Sequence, residues 1–572
     1  MKQKKVAVIK RIFLIGVTIA SLSYTIDAQP AAKGDKQPNI VLIMADDLGY
    51  SDIGCYGGEI KTPNLDKLAK NGLRFSQFYN ASRCCPTRAS LLTGLYSHQA
   101  GMGNMSSDQG TPGYRGYLTE NTVTLAEVLK TAGYQTGMIG KWHLSNTPTQ
   151  STKENHLAWL NHQADYPIFA PVNQYPVNRG FDKFYGTIWG VVNFFDPFSL
   201  VNGKEPVKSV DKDYYYTDAI NDSASNYVRQ FSKNKAPFFL YVAHAAPHWP
   251  LHALPEDIKK YKEVYKAGWD VIRNARYKKM IREGLFDPKQ DNLSQRWHEE
   301  RKWDENRDKE WDAYAMAVRA AMVDRMDRGI GKIIQTLKET GQLDNTLILF
   351  LSDNGASSDD AQNYGPGFDR PGKTRTGETI TYPVKKQVLP GPETTFASTN
   401  EMWSNVANTP FRYWKTKAFE GGICTPLIVS WPKGLSAVKG SVTNQTGHVI
   451  DLMSTFSELA GAKYPEIYKD NLITPTEGLS LIPIFKGQQR KGHEYLFFEH
   501  LNSKAVRYGD WKLVSLNDKS GWELYNLKSD RTEMNNLAKQ NPELVKKLET
   551  KWQEWAHKSH VLPKPSAANI RE

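Results

Sequence analysis

Short apolar runs recur along the chain and end abruptly in polar residues. They lie at residues 39–44, 238–243 and 347–351, and a further strand pattern lies at 427–431. Runs of this length and composition are typical of strands buried on both faces, as in a parallel sheet covered by helices. The pattern favours an α/β fold with a mostly parallel central sheet flanked by helices.

Helical patterns alternate with these strands. Residues 62–72 show apolar positions on one helical face, and a second helix opens at Thr124, where Glu127 completes a capping box. A strand at 135–139 follows, which indicates βα units whose loops gather at one edge of the sheet. The charged stretch 255–341 is predicted as helical scaffold with a solvated insertion.

From residue 463 the pattern changes to short strands joined by turns, which indicates a small antiparallel sheet. Its strands are predicted at residues 495–499, 504–516 and 522–526. A closing helix that begins at Pro542 is expected to pack on this sheet. We therefore predict a catalytic domain over residues 38–462 and a small α+β subdomain over residues 463–572.

Two long stretches lack a regular pattern. Residues 145–176 are polar with interspersed aromatic residues and are predicted as a loop over the site, whereas residues 356–410 are rich in Gly, Pro, Ser and Thr and are predicted as a lid. Substrate specificity is expected to reside in these two stretches. The aromatic residues of the first stretch are Trp159, Tyr166 and Phe169. A further aromatic cluster is predicted to fill the core rather than line a pocket, namely Trp189, Phe194 and Phe195.

Residues 1–28 have the pattern of a secretory signal. Five lysine and arginine residues precede or begin an apolar run that extends to residue 22, and Ile26-Asp27-Ala28 resembles a cleavage site. The run is short for a membrane span, so a cleaved signal is favoured over an uncleaved anchor. We expect an exported protein, periplasmic or secreted, without a stable membrane anchor.

Removal of this segment takes away five positive charges and one negative charge, which lowers the formal net charge from +12 to +8. A basic chain is compatible with an anionic substrate, and because no dense basic run is present, nucleic-acid binding is not indicated. The four cysteines are too few for a disulfide framework, so hydrophobic packing must hold the fold. They are Cys55, Cys84, Cys85 and Cys424.

The stretch from Arg83 to Gly94 carries the clearest chemistry. Pro86 suits the first turn of a helix, so Cys84 is expected at a helix N-terminus, where backbone N–H groups and the helix dipole favour an anion. With Arg88 one turn away, Cys84 fits a nucleophilic thiolate of low pKa, and the same spacing fits a buried structural thiol. The residues alone leave both interpretations open.

Oxygen-bearing side chains follow two of the apolar runs, as Asp46 and Asp47 after the first and as Asp353 and Asn354 after another. Polar turns are one explanation, because Asp and Asn are common turn residues. Parallel strands present their C-terminal ends on the same side, however, so the four side chains can surround one hard cation. The lack of His and Cys in this quartet disfavours zinc, and an all-side-chain oxygen cage favours Ca²⁺ over Mg²⁺.

The motif Cys-x-Pro-x-Arg followed by Leu-x-Gly, which begins at Cys84, resembles the signature of the type I, formylglycine-dependent sulfatases of the alkaline phosphatase superfamily. Further short motifs of the chain resemble those of that family and occur in the same order, and their residues are similar to those of arylsulfatases. These are Asp46-Asp47, Gly140-Lys141-Trp142-His143, Ala246-Pro247-His248-Trp249-Pro250, Asp353-Asn354-Gly355 and the Lys-x-x-x-x-Glu-Gly-Gly phrase from Lys415 to Gly422. Cys85 occupies the variable position, and Thr87 stands where Ser is usual. The resemblance implies an alkaline-phosphatase-like fold.

The resemblance also implies the chemistry at Cys84. A maturation enzyme oxidises the matching cysteine of the family to formylglycine, whose hydrated aldehyde is the nucleophile. By the same resemblance, Arg88 and Lys141 hold the hydrate and His143 contacts its second hydroxyl.

The sulfate itself is assigned to two further residues by the resemblance. His248 faces the sulfate and protonates the leaving group, a role that suits an imidazole near neutral pH. Lys415 is the matching lysine, and Lys417 is the alternative. The single divalent cation is held, by the same resemblance, by Asp46, Asp47, Asp353 and Asn354.

The function implied is hydrolysis of sulfate esters, with aryl sulfates as substrates in vitro and sulfated glycans as natural substrates. A phosphonate monoester or phosphodiester hydrolase of the same superfamily can carry the same signature. A non-catalytic relative that binds sulfated glycans is the other alternative, and the presence of every catalytic position argues against it.

Overall fold

The structure is a computed structural model that describes residues 37–164 and 168–566. The predicted signal at residues 1–28 and the predicted loop residue Tyr166 lie outside the described residues. Within the described ranges, no helix is both long enough and apolar enough to cross a membrane.

A large mixed sheet forms the centre of the described chain, with strands in the order β10-β2-β9-β8-β1-β7-β3-β4-β5-β6 and β11 paired to β2. Its strands are β1 (Asn39–Ala45), β2 (Leu73–Tyr79), β3 (Gln135–Gly140), β4 (Lys183–Thr187), β5 (Leu200–Asn202), β6 (Glu205–Pro206), β7 (Phe238–Ala243), β8 (Thr346–Ser352), β9 (Cys424–Ser430), β10 (Ser441–Thr443) and β11 (Gly447–His448). The central neighbours β3, β7, β1 and β8 are mutually parallel. This confirms the predicted α/β class with a mostly parallel sheet.

Two strands depart from the sequence-based picture. β9 runs antiparallel to both β2 and β8, and it begins three residues before the predicted strand at 427–431. β2 was not predicted, because its polar residues interrupt the continuous apolar run expected of a buried strand. Arg74 and Ser76 are nevertheless buried, and their side chains donate to the carbonyl oxygens of Cys55 and Thr443. Burial of these polar groups is tolerated because each is hydrogen-bonded.

Helices cover both faces of the sheet. They are α1 (Pro63–Lys70), α2 (Cys84–Thr93), α3 (Leu125–Thr131), α4 (Lys153–Leu160), α5 (Tyr216–Phe231), α6 (Pro255–Ile258), α7 (Trp269–Arg282), α8 (Lys309–Glu339), α9 (Glu401–Ala407), α10 (Glu420–Ile423), α11 (Asp451–Ala460), α12 (Ile482–Phe485) and α13 (Pro542–Lys558). Alternate residues of β1 face opposite sides, so that Val41 and Ile43 belong to one core, with α5 and α8, and Leu42 belongs to the other, with α2 and α3. The capping box at Thr124 and Glu127 forms as predicted.

The predicted loop over residues 145–176 is partly wrong. It contains α4, whose N-terminus is capped by the Thr152 side chain, and Trp159 and Phe169 are buried in the core against Phe198. The prediction failed because α4 has almost no apolar face, so the helical period gives little signal. The predicted lid at 356–410 is irregular over most of its length but ends in α9.

A small antiparallel sheet follows near the C-terminus, in the order β14-β15-β16-β17. Its strands are β14 (Tyr495–His500), β15 (Ser503–Tyr508), β16 (Trp511–Ser515) and β17 (Glu523–Asn526), and a separate two-stranded ribbon is formed by β12 (Ile467–Tyr468) and β13 (Asn471–Leu472). α13 packs on the four-stranded sheet through Leu548, Trp552 and Trp555, all buried. The predicted hairpin arrangement with a closing helix is confirmed, and the boundary at residue 463 stays a prediction.

Candidate active site

The strand register brings the candidate residues to one edge of the sheet. Ala45 lies opposite Ser352, and both Met44 and Gly140 lie opposite Ala243. Because these strands are parallel, the residues at their C-terminal ends leave the sheet at the same edge. Asp46 follows Ala45, Asp353 follows Ser352 and Lys141 follows Gly140, so all three lie at this edge.

α2 begins at Cys84 beside this edge, as the sequence predicted. The Cys84 thiol is buried, and its sulfur, that of Cys85 and a ring nitrogen of His143 all lie within 4.8 Å of one another. The hydrogen bond with Cys85 lowers the pKa of Cys84, burial opposes this, and the neighbouring Lys141 and His143 lower it further. The net effect is a pKa of Cys84 well below the ordinary thiol value, so the surroundings stabilise a negative charge at this position.

Two glycines shape the chain around His143, which lies beside Cys84. The backbone of His143 is left-handed (φ 58°), and a Cβ on Gly190 would overlap its imidazole ring. Gly140, at φ 100°, brings the chain against the carbonyl of Ala243 so closely that a Cβ would overlap that oxygen. Burial lowers the pKa of His143 to about 4, so the ring is neutral near pH 7, and its Nδ1 is buried without a hydrogen-bond partner among the described residues.

Arg88 and Lys141 bind the acidic residues of the edge. The guanidinium of Arg88 donates to Asp353 Oδ2 from Nη2 (2.8 Å) and to the carbonyl oxygen of Lys141 from Nη1 (3.0 Å). Lys141 Nζ lies 2.5 Å from Asp46 Oδ2. All four side chains are fully buried, and charges buried in this way are held only where they are paired.

Asp47 is the centre of a second group. Lys415 Nζ lies 2.7 Å from Asp47 Oδ1, Asn354 Nδ2 donates to the same oxygen at 2.6 Å, and His248 Nε2 lies 3.4 Å from Asp47 Oδ2. The backbone of Asp47 is left-handed (φ 62°), and Arg319 donates to its carbonyl oxygen at 2.8 Å. Arg319 was not singled out from the sequence, because it lies within the helical pattern of α8 and gives no local signal of a distant partner.

The oxygen quartet fits a hard cation. Asp46 Oδ1 and Asn354 Oδ1 are buried and accept no hydrogen bond from the described residues, which is costly unless another donor or a cation meets them. Burial, and then the negative charge of Asp46, raise the pKa of Asp353 well above its ordinary value. A bound cation would reverse that effect. The donor set therefore suits Ca²⁺ or Mg²⁺ and not zinc.

The structure separates Lys415 from its alternative, Lys417. Lys415 is buried and lies 3.3 Å from His248 Nε2 as well as beside Asp47. Burial opposes its protonation, but the charge of Asp47 outweighs burial and the pKa of Lys415 is raised. Lys417 is half-buried, and burial lowers its pKa. The geometry favours Lys415.

His248 is held by the chain that follows it. Its Nδ1 lies 2.5 Å from the carbonyl oxygen of Trp249, which fixes a proton on Nδ1 and leaves Nε2 free to exchange one. Trp249 Nε1 in turn donates to Asp359 Oδ2 at 2.9 Å. Asp359 was not identified from the sequence, since it lies in the irregular stretch 356–410 without a motif. Nearby His252 is structural, because its Nε2 lies 2.7 Å from the carbonyl oxygen of Thr395.

Comparison with known proteins agrees with this site. Residues 38–462 match the family described as Sulfatase, and residues 411–558 match the family described as N-sulphoglucosamine sulphohydrolase, C-terminal. An uncharacterized sulfatase of Schizosaccharomyces pombe is 31% identical and covers 93% of this chain and 95% of its own. An arylsulfatase of Klebsiella aerogenes is 32% identical over 82% of this chain and 97% of its own.

Among solved structures, the fold is similar to the crystal structure of Ps i-CgsB in complex with k-i-k-neocarrahexaose. The two sequences are 27% identical, with 93% of this chain and 94% of that chain covered and a TM-score of 0.63. The family match extends over most of the chain, and the first relative exceeds 30% identity over nearly its whole length. The chain therefore belongs to the sulfatase family and is a sulfuric ester hydrolase.

Proposed function

We propose that this sulfatase cleaves sulfate esters with a formylglycine formed from Cys84. The observation that carries the proposal is the convergence of a buried thiol at the start of α2, three buried cationic side chains and a quartet of oxygen donors at one sheet edge. In the transition state, negative charge spreads over the sulfate oxygens and the departing oxygen. Fixed cationic groups in a buried site stabilise that charge without reorganising.

Cys84 supplies the nucleophile after conversion by a formylglycine-generating maturation enzyme. One hydroxyl of the hydrated aldehyde attacks sulfur and loses its proton to water, while the bond between sulfur and the ester oxygen breaks and the alcohol departs with a proton from His248. Neutral His143 then takes the proton of the second hydroxyl, the bond between carbon and the sulfate oxygen breaks, and the aldehyde forms again. A serine at this position would remain as a stable sulfate ester. Arg88 and Lys141 hold the hydrate.

His248 and Lys415 act at the sulfate. The Trp249 carbonyl holds the proton on Nδ1 of His248, so only the imidazolium form carries a second proton, and this proton on Nε2 is the one delivered to the departing oxygen. Lys415, whose Nζ lies 3.3 Å from Nε2, binds a sulfate oxygen. Asp47 contacts both side chains and so holds Lys415 and His248 next to each other.

One divalent cation is proposed at the oxygen quartet. Asp46, Asp47, Asp353 and Asn354 would hold it, and this assignment is supported by the buried oxygens Asp46 Oδ1 and Asn354 Oδ1, which accept no hydrogen bond from the described residues. When bound, the cation supplies positive charge beside the sulfate oxygens. Ca²⁺ is favoured over Mg²⁺, because Ca²⁺ accepts a cage made of protein oxygen atoms whereas Mg²⁺ usually keeps several waters.

Aryl sulfates are the proposed substrates in vitro, and sulfated glycans are the proposed natural substrates. The arylsulfatase of Klebsiella aerogenes and the neocarrahexaose complex of Ps i-CgsB support the two halves of this proposal. Residues 356–410 are proposed to set the fit. We further propose export after cleavage at residue 28, and a catalytic domain over residues 38–462 followed by a subdomain over 463–572.

The test is a parallel assay of one matured preparation. An aryl sulfate, the matching phosphodiester, the matching phosphonate monoester and a panel of sulfated pyranosides are compared by kcat/KM. We expect the aryl sulfate to be hydrolysed faster than either phosphorus ester, because the site neutralises a singly charged sulfate ester without further groups. A large preference for a phosphorus ester would overturn the proposed substrate class. If protein that contains formylglycine hydrolysed none of these substrates, the alternative of a non-catalytic protein that binds sulfated glycans would be favoured.

A further inference from the structure

Two thiols and an imidazole lie together at the start of α2, and the mechanism above uses only one of the thiols. The sulfur atoms of Cys84 and Cys85 and a ring nitrogen of His143 lie within 4.8 Å of one another, and all three residues are buried. Before Cys84 is converted to formylglycine, this group offers two sulfur ligands and one nitrogen ligand. Thiolate and imidazole are ligands that zinc prefers in proteins.

The spacing of the three atoms suits one zinc ion. Three atoms no more than 4.8 Å apart all lie within about 2.8 Å of a common point, which is 4.8 Å divided by √3. Zinc binds sulfur at about 2.3 Å and nitrogen at about 2.0–2.1 Å, so each ligand atom needs to approach this point by less than about 1 Å. Two sulfurs, one nitrogen and a water molecule then complete a tetrahedral set of ligands.

The backbone around each ligand is held by other parts of the chain. At the start of α2, Thr87 N donates to the carbonyl oxygen of Arg83 at 2.9 Å, and the Thr87 hydroxyl accepts from Ala81 N at 2.9 Å. On the other side, His143 N donates to the carbonyl oxygen of Ile188 at 3.1 Å. The ligands therefore belong to fixed parts of the backbone, which lowers the cost of ordering them around an ion.

The hydrogen bonds of these side chains leave them available to a metal ion. His143 Nδ1 is buried without a hydrogen-bond partner among the described residues, which is costly for a polar atom. Burial lowers the pKa of His143 to about 4, which keeps the ring in the neutral form that binds metals. Cys85 Sγ lies 3.9 Å from Met105 Sδ, and because a thioether is a weak acceptor, the thiol loses little when zinc replaces its proton.

The charges around the group are compatible with a dication. Zn²⁺ with two thiolates and a neutral imidazole carries no net charge. Two neighbouring cationic side chains are already paired, since Lys141 Nζ lies 2.5 Å from Asp46 Oδ2 and Arg88 Nη2 lies 2.8 Å from Asp353 Oδ2. Arg83 is half-buried, so water and salt screen its charge in part. A zinc ion would also relieve the repulsion between two adjacent thiolates.

We propose that the unconverted chain binds one zinc ion through Cys84, Cys85 and His143. Conversion of Cys84 removes one of the two sulfur ligands, so the site is lost when formylglycine forms. This group and the oxygen quartet thus select different ions, a thiophilic cation at the first and a hard cation at the second. Zinc binding by the unconverted chain is independent of the proposed function, whereas its loss on conversion rests on that function.

The experiment uses the full chain, produced without a formylglycine-generating enzyme and kept reduced, with unmodified Cys84 verified by peptide mass spectrometry. Excess calcium is present in every sample to occupy the oxygen quartet. Co²⁺ is added as a spectroscopic probe and is then displaced by Zn²⁺. We expect one equivalent of Co²⁺ to produce a sulfur-to-cobalt charge-transfer band, which requires thiolate ligands, and Zn²⁺ to remove it. Zinc should also raise the Tm by mass action.

Variants identify the ligands. Cys85→Ser and His143→Ala are each expected to weaken zinc binding by more than about 100-fold, because loss of an outer partner alone costs about 10- to 100-fold. Cys424→Ser is the matched control, since Cys424 is a buried thiol in β9 that donates to the carbonyl oxygen of Ser76. It is expected to keep the zinc affinity of the wild type. The Tm of each variant without zinc shows whether it is folded.

Several results would overturn the inference. Cobalt binding without the charge-transfer band would place the ion at the oxygen quartet, and no binding at all would exclude the site. Undiminished zinc affinity in both Cys85→Ser and His143→Ala would assign the ligands elsewhere. Protein that contains formylglycine is expected to lack the band, and a band of equal strength there would show that other thiols bind the metal. Sulfatase activity is not a readout, so these results leave the proposed function unaffected.

Discussion

Lys415 Nζ lies 2.7 Å from Asp47 Oδ1 and 3.3 Å from His248 Nε2, so one lysine joins a carboxylate at a strand end to the imidazole after another strand. The three side chains come from segments that are far apart in the sequence. All three are buried and form one unit.

The first prediction separates Lys415 from Lys417. Lys415→Ala is expected to lower kcat/KM for an aryl sulfate by about 10²- to 10³-fold, the usual cost of removing a buried group that stabilises transition-state charge. Lys417→Ala is the matched control and is expected to remain within about threefold of the wild type. Comparable losses in the two variants, in preparations with equal formylglycine content, would contradict the assignment.

The second prediction concerns maturation. When the chain is produced together with a formylglycine-generating enzyme, peptide mass spectrometry is expected to find the aldehyde at Cys84 and not at Cys85. Cys85→Ser serves as the control and should still be converted, whereas Cys84→Ser should accumulate a covalent sulfate because a serine ester has no second hydroxyl to expel it. An active preparation with unmodified Cys84 would refute the mechanism.

The third prediction concerns the cation. Chelation is expected to abolish turnover, and calcium is expected to restore it best, because the positive charge beside the sulfate is lost and then returned. Binding of calcium to the folded protein should also raise the Tm of the wild type, by mass action, without requiring substrate. Asp353→Ala should lose activity, and the milder Asn354→Ala should lose the calcium-dependent rise in Tm. Full activity in a preparation free of metal by elemental analysis would exclude the site.

The fourth prediction concerns Gly190, whose Cβ would overlap the His143 ring. Gly190→Ala is expected to displace the imidazole and lower kcat by about 10²-fold, since misplacement of a catalytic group by about 1 Å has that cost. Gly521→Ala is the control, because a Cβ there meets no atom within 4 Å. Wild-type kcat in Gly190→Ala would show that the position of His143 is not required for turnover.

The fifth prediction concerns stability against pH. Buried Asp451 binds Arg490 Nη2 at 2.8 Å and His493 Nε2 at 2.6 Å. Burial acts to raise its pKa, but the hydrogen bond and charge of His493 and the charge of Arg490 outweigh burial, and the pKa falls from 3.8 to about 2. A lowered carboxyl pKa contributes stability that is present above pH 3.8 and is lost as the pH falls through about 2, an effect of about 2 kcal/mol.

Asp451→Asn should therefore flatten the dependence of Tm on pH between about 4 and 2. It should also lower the free energy of unfolding at pH 7 by about 3–5 kcal/mol, because Arg490 loses its buried partner. Asp518→Asn, in an exposed pair with Lys504, should cost less than about 1 kcal/mol. An unchanged Tm profile in Asp451→Asn would show that the network does not stabilise the fold.

Long-range packing explains where the sequence-based predictions failed. α4 has no apolar stripe, and its burial depends on aromatic residues such as Phe198, which lies well beyond the predicted loop. Gly190 follows an aromatic residue in a stretch without a motif, and its proximity to His143 exists only after both segments are placed on the sheet.

The sequence alone determined the fold class and the family. Apolar runs that end in Asp46, Asp353 or Lys141 are local features, and a parallel sheet necessarily brings their ends to one edge. Only the tertiary structure decided which lysine lies beside Asp47 and that Gly190 makes room for His143. These relationships depend on distances between segments that meet only in the folded chain, because side-chain contacts are set by packing and not by residue order.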